Sequence, residues 1–182
     1  AMRPLPRPRI GYVGAINDKI DAELLLHVAK AYPHGAIVLV GPLRPLSTET
    51  KQGIEALRGC PNVHFVGRVS VEEVPYFMAA CDVGLLPYRR NAWTKHIHPL
   101  KMYEYLSCAL PIVSTDIPAA HEEEQVIRVA EEALGFVSAV SEALSSDSEQ
   151  LRTERRERAS QNTWRHRVQH ISELIETTLQ DR

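Results

Sequence analysis

The feature that most constrains this chain is residues 36–40, AIVLV, five apolar residues in a row with no polar interruption. A strand with one wet face alternates apolar and polar residues. A continuous run fits a strand covered on both faces, the normal state in a parallel sheet. Similar short runs recur at residues 10–13 (IGYV), 63–66 (VHFV), 82–86 (DVGLL) and 111–114 (PIVS), with a sixth at 126–129. Amphipathic stretches separate them. Residues 21–32 carry Leu24, Leu25 and Val28 on one stripe, and residues 49–57 read as helix. Ser70 and Glu73 form a capping-box pattern ahead of VPYFMAAC, where Pro75 either splits the helix or starts its main body. Pro99 opens a further helix at its first position, and from Glu131 the chain reads as helical, ending in a long Arg- and Glu-rich helix through Leu179.

Strands alternating with helices imply βαβ units, and right-handed crossovers wind them into one sheet. The expected fold is therefore α/β: a Rossmann-like, doubly wound parallel sheet of about six strands, with helices on both faces. Ligands in such sheets bind outside the carboxyl ends of the strands. That rule selects the loops at residues 14–19, 41–46, 67–70, 87–98 and 115–119.

The 182 residues suit one domain. Residues 1–9 set Pro4, Pro6 and Pro8 among Arg3, Arg7 and Arg9. Such a leader is stiff and extended, and is expected not to pack. It reads as a linker or remnant at a domain boundary, with residues 10–182 forming the domain and an N-terminal partner domain absent. With 21 basic and 23 acidic residues, the net charge of −2 gives no reason to expect a nucleic acid partner. No apolar run approaches the ~20 residues that span a bilayer. Cys60, Cys81 and Cys108 are odd in number and far apart, which fits buried thiols in a reducing, cytoplasmic setting.

The stretch richest in chemistry is residues 96–118, HIHPLKMYEYLSCALPIVSTDIP. A helix starting at Pro99 leaves the N–H groups of Leu100 and Lys101 free at the positive end of the macrodipole, a ready anion site. Lys101 adds a full charge there. Glu104 lies about 7.5 Å further along the axis, and its side chain leans back toward the helix start. Its carboxylate accepts two hydrogen bonds at once, as a ribose diol requires. Phosphate at the helix end and ribose on Glu104 would fit a nucleoside diphosphate. The plain alternative is an i,i+3 surface pair between Lys101 and Glu104. His96 and His98 share one face of an extended segment without a Cys or acidic neighbour, so no metal site is expected. His98 or His96, with Tyr88, Arg89 and Arg90, either border the crevice, touching sugar or phosphate, or belong to a polar loop. Asp116 reads as a helix cap. Gly11 and Gly14 do not complete the G-x-G-x-x-G fingerprint of a dehydrogenase.

The Pro-x-Lys-x-x-Glu-Tyr helix followed by a Pro-Ile-Val strand resembles the donor-site signature of the GT-B glycosyltransferase superfamily (group 1, family 4-like). IGYVGAINDKIDAELLLHVA, AIVLVGP, PNVHFVGRVSVEEVPYFMAACDVGLLPY and Trp164 follow in the order seen in that family, over roughly residues 10–180. The resemblance implies the C-terminal, donor-binding domain of an enzyme that transfers sugar from a nucleoside-diphosphate sugar to an acceptor hydroxyl, in polysaccharide or glycan biosynthesis. It implies that Gly14, Leu100 and Lys101 meet the diphosphate, that Glu104 holds the ribose, and that Gly67 and Arg68 border the base. No cofactor or metal is expected beyond the sugar nucleotide. The acceptor site, and any peripheral membrane contact, would belong to the absent N-terminal domain, leaving this part alone inactive.

There are departures from the family pattern. His96 stands eight positions before Glu104, where many retaining members carry an acid. Ala15 follows the loop glycine in place of the usual Arg, and Lys19 is only an approximate match for the Lys that follows, read as a solvated lysine at the helix entry or as a contact to sugar or phosphate. Trp164, Val168, Ile171 and Ile175 lie at helical spacing and read mostly as core, though in the family the final helix runs back toward the other domain. Residues 152–158, RTERRER, read as a solvated helix face. By fold alone the chain also suits a stand-alone nucleotide-binding or regulatory module, or a nucleotide-sugar epimerase on the same scaffold, though the transferase-type stretch at residues 96–118 favours transfer over epimerisation.

Overall fold

The structure, a computed structural model, describes residues 2–180. Six strands, β1 (Arg9–Val13), β2 (Ala36–Val40), β3 (Val63–Gly67), β4 (Val83–Leu86), β5 (Ile112–Thr115) and β6 (Ile127–Ala130), form one sheet in the order β3-β2-β1-β4-β5-β6. Every pairing is parallel. This is the doubly wound arrangement, and its strand order reverses between β1 and β4. All five residues of β2 are buried, as its unbroken apolar run requires.

Among the described residues, eight α-helices follow the strands: α1 (Ala22–Ala31), α2 (Thr48–Arg58), α3 (Val74–Ala79), α4 (Leu100–Ser107), α5 (Pro118–His121), α6 (Ala133–Ser145), α7 (Glu149–Gln161) and α8 (Trp164–Gln180). α1 packs against α2 and α6 on one face of the sheet, while α4 packs against α7 on the other. The starts are chemically marked. The side chains of Asp21, Ser47 and Ser148 accept the N–H groups of Leu24, Thr50 and Leu151, satisfying donors that a helix start leaves orphaned. At α3 only half of the expected box forms: Glu73 accepts the Ser70 N–H, and the cap position falls on Glu73 itself.

Four expectations are corrected. The proline-arginine leader packs: Met2 is buried, the Pro8 carbonyl accepts the Ala36 N–H at 2.9 Å, and the Arg9 guanidinium folds back onto the carbonyl of Leu5. Prolines lack donors but keep acceptors, so the segment extends the β2 ladder at one edge. The chain is helical from Ala133 as expected, but the Arg- and Glu-rich helix ends at Gln161 and a separate helix, α8, runs on to Gln180. The face of residues 152–158 is not wholly solvated. Arg155 is buried, pairing with Asp147 at 2.7 Å and donating to the Ala109 carbonyl at 3.0 Å, because α7 lies against α4. The stripe of α8 is not core: Trp164 is 70% exposed, and Val168, Ile171 and Ile175 are exposed with it. α8 meets the rest of the domain through Arg167, which stands over the Tyr103 ring and bonds His98, while its apolar residues face solvent.

At the carboxyl edge, Gly14 donates to the Val40 carbonyl at 2.7 Å and Gly41 to the Gly67 carbonyl at 2.8 Å. Gly41 has φ +139°, and a Cβ there would fall 2.1 Å from the Gly14 carbonyl oxygen. A side chain is thus opposed both by backbone conformation and by immovable backbone atoms. Gly41→Ala should destabilise the protein by about 2–5 kcal/mol, read as a lower urea midpoint at unchanged m-value.

Candidate functional site

β1 pairs with β2 along its full length but with β4 only at Ile10 and Gly11. The two strands diverge beyond that point, and the Val13 N–H donates to the Tyr105 hydroxyl of α4 at 2.8 Å. The start of α4 is thereby pinned beside the glycine loop after β1. Pro99 is the residue before the helix, with extended φ and ψ, rather than its first residue as expected. α4 therefore begins at Leu100, whose N–H lies in the unbonded first turn together with that of Lys101.

A cavity of about 380 Å³ opens beside this helix at the carboxyl edge. Gly14, Lys101 and Glu104 line it together, and Val69, Val71, Val74, Pro75 and Met78 form an apolar wall. Lys101 reaches over Gly14, where a Cβ would fall 2.0 Å from its Nζ. Its Nζ also stands 5.2 Å from the centre of the Tyr12 ring. The Lys101–Glu104 surface pair weighed above does not form: among the described residues, Lys101 has no ion-pair partner within 4.0 Å. Burial lowers the Lys101 ammonium to about 8, with the nearby Lys19 charge acting in the same direction and Glu104 opposing.

The remaining candidates divide. Gly67, at φ +81°, ends β3 at the same edge, and Arg68 beside it is exposed; neither lines the cavity. Leu100 is half exposed at the helix start. Lys19 sits with its Nζ 5.2 Å from the centre of the Tyr88 ring. Tyr88 does not border open space as expected. It is 1% exposed and packs beneath Lys19, because the chain folds inward after β4, where the Tyr88 N–H bonds to Thr115 Oγ1. His98 is turned away from the cavity, its Nε2 3.2 Å from the Tyr103 hydroxyl and 3.1 Å from Arg167 of α8. His96 is exposed at the end of a single 3₁₀ turn, Thr94–His96. Arg89 and Arg90 are taken up by Glu49 and by Asp116 with Glu131. Asp116 is no helix cap; it pairs with His121 and Arg90, and the cap position of α5 falls on Ile117. Sequence reasoning missed Tyr12, Tyr105 and the apolar wall. Tyr12 within the apolar run of β1 was the one signal available.

The sheet order and the crevice at its carboxyl edge define a Rossmann-like, doubly wound α/β domain. A model of the family described as glycosyl transferases group 1 matches residues 7–146, and the chain belongs to that family. It is 28% identical over 116 residues to the putative teichuronic acid biosynthesis glycosyltransferase TuaH of Bacillus subtilis (strain 168), a match covering 64% of this chain and 28% of that protein. The fold is similar to that of Anabaena Alr3699/HepE, solved in complex with UDP and glucose (TM-score 0.69, 19% identity, 96% of this chain and 48% of that one). It is also similar to sucrose-phosphate synthase of Thermosynechococcus elongatus (TM-score 0.76, 20% identity, 96% and 46%). A third likeness is to the C-terminal domain of the group 1 glycosyl transferase LpcC of Francisella tularensis (TM-score 0.62, 16% identity, 82% and 81%). The chain thus spans about a quarter of the curated relative and about half of the first two structures.

Two measurements probe this geometry. Tyr105→Phe leaves the buried Val13 N–H without an acceptor and should cost about 1–3 kcal/mol, seen as a lower Tm. Lys101 has a folded-state value below its ordinary 10.5. The unfolded chain therefore binds more protons between about 8 and 10.5, and this group makes stability rise with pH across that window. Relative to Lys101→Met, the wild-type protein should gain urea stability from pH 8 to pH 10, and a constant difference would contradict the assignment.

Proposed function

We propose that this chain is the donor-binding part of a glycosyltransferase, holding a nucleoside-diphosphate sugar for transfer to an acceptor hydroxyl. The observation that carries the reading is the meeting of Gly14, Lys101 and Glu104 around one cavity, with Lys101 desolvated and, among the described residues, without an ion-pair partner within 4.0 Å. A buried unpaired ammonium is costly, and an anionic ligand removes the cost. In this reading the diphosphate rests on the first N–H groups of α4, at Leu100 and Lys101, with Gly14 admitting it close to the backbone. Lys19 stands nearby as a second cation. Glu104 grips the ribose diol, and the base lies against the apolar wall, bordered by Gly67 and Arg68.

Chemistry follows from the same groups. Negative charge grows on the diphosphate as the sugar leaves, and preorganised N–H groups with Lys101 stabilise it. No metal or further cofactor enters this account. The acceptor and any general base belong to the part of the enzyme that this chain does not span, an N-terminal acceptor domain, which also carries any contact with a membrane surface. That Anabaena HepE was solved with UDP and glucose, and that the curated relative is named for teichuronic acid synthesis, support a UDP-sugar donor and a place in polysaccharide assembly.

Titration with UDP, GDP and ADP tests the reading directly. UDP should bind and slow amide exchange around residues 99–104, while the chain alone should transfer no sugar. Lys101→Ala should weaken UDP by about tenfold to a hundredfold, with uridine little affected. Glu104→Ala should erase the preference for UDP over its 2′,3′-dideoxy analogue. UDP affinity should be flat between about pH 7 and pH 8, where both the terminal phosphate of UDP and Lys101 keep their charge. Above that window, binding must take up a proton at Lys101, so affinity should fall by up to about tenfold per pH unit. Equal affinity for UDP and uridine in the wild-type protein would overturn the assignment.

A further inference from the structure

Both lysines of the crevice are seated alike. Lys101 Nζ stands 5.2 Å from the centre of the Tyr12 ring, and Lys19 Nζ stands 5.2 Å from that of Tyr88. Tyr12 is 0% and Tyr88 1% exposed, so the rings form a rigid floor beneath the two ammonium groups. They rise from either side of the divergence in the sheet, Tyr12 from β1 and Tyr88 from the segment after β4. The Tyr12 hydroxyl donates to the Ala15 carbonyl at 2.9 Å, which ties the ring to the loop that follows Gly14.

The neighbouring arginines are treated differently. Arg89 pairs with Glu49 at 3.0 Å and Arg90 with Asp116 at 3.5 Å. Neither Lys19 nor Lys101 has an ion-pair partner within 4.0 Å among the described residues. A carboxylate would hold a lysine in place, but it would also cancel its charge and repel an incoming anion. An aromatic face attracts the cation through its quadrupole and carries no net charge of its own.

We propose that Tyr12 and Tyr88 are positioning residues for the donor diphosphate: their ring faces hold Lys101 and Lys19 in place as unneutralised cations, ready for a nucleoside diphosphate. This rests on the reading of the cavity as a nucleotide site. Burial, with the adjacent Tyr88 hydroxyl, pushes the Tyr12 phenol well above its ordinary value. Burial does the same to Tyr88, helped by Glu104. Both rings therefore stay neutral over the range in which Lys101 titrates, and neither becomes a phenolate partner. Lys19 is also lowered by burial, so both cations are held against a desolvation cost.

The test grades the quadrupole while keeping the shape. Tyr12→Phe serves as reference, and phenylalanines bearing one to five ring fluorines replace it at position 12 in the full chain. UDP and uridine affinities are measured by calorimetry. Ring fluorination drains the negative face without removing the ring, so the packing of β1 is kept. UDP affinity should fall stepwise, by about tenfold across the series, with uridine affinity constant. The pH above which UDP binding weakens should move down in the same order. The same series at position 88, acting through Lys19, should show the same trend. A flat UDP affinity across both series, in a protein whose wild-type form prefers UDP to uridine, overturns the role of the rings and leaves the site reading intact. A wild-type protein without that preference overturns both.

Discussion

The hydrogen bond from the Val13 N–H to the Tyr105 hydroxyl is the contact on which the site geometry depends. β1 and β4 separate beyond Gly11, as strands do where the winding of a doubly wound sheet reverses. A separated strand leaves its inward N–H without a ladder partner, and a buried unpaired donor costs about 1–3 kcal/mol. Here a helix supplies the acceptor. Tyr105 and Lys101 are four residues apart and so share one face of α4. Fixing the hydroxyl against β1 therefore sets where the ammonium sits above Gly14. Glu104, one residue earlier, is rotated off that face and lines the cavity. One contact thus determines the placement of three side chains.

The electrostatics of the crevice follow from what surrounds each cation. Nearby arginines are matched to carboxylates, while the two lysines rest on neutral rings. Charges that are already balanced contribute little to catching a ligand, since any new bond must displace an old one. Charges that are desolvated but unbalanced gain most from an anion, because the protein has already met the cost of ordering and drying them. The apolar wall at the other end of the cavity supplies burial without competing donors. A ligand with two phosphates at one end and a flat, partly apolar ring at the other matches that division.

Much of this was legible in the sequence, for specific reasons. β2 could be read because burial on both faces demands an unbroken apolar run, and Ala36–Val40 has one. Lys101 and Glu104 could be read because helix geometry converts their spacing into adjacency near a helix start. Other features depend on contacts between residues distant in sequence. Nothing local marks Tyr105 as the acceptor for Val13, 92 residues away. His98 reads as a crevice residue until α8 supplies Arg167 to turn it outward. Arg155 lies in a run of charges that reads as solvated, and its burial arises from where α7 lands on α4. The stripe of α8 shows the converse: helical periodicity gives the face of an amphipathic helix but not whether anything covers it.

The same residues set stability and ligand readiness against one another. Desolvating Lys101 lowers its ammonium to about 8, which means that the folded state is penalised at neutral pH for keeping it charged. Closing the Gly14–Gly41 edge forces both residues to positive φ, a conformation that favours glycine over any residue able to add packing. These costs are offset by the fully buried strands β2 and β4 and by the Tyr105 bond. The scaffold tolerates a poorly satisfied edge because its centre is over-determined. A change that relieved the strain at Lys101, such as a carboxylate near Gly14, would stabilise the fold by the same electrostatic interaction that would repel an anion from the cavity.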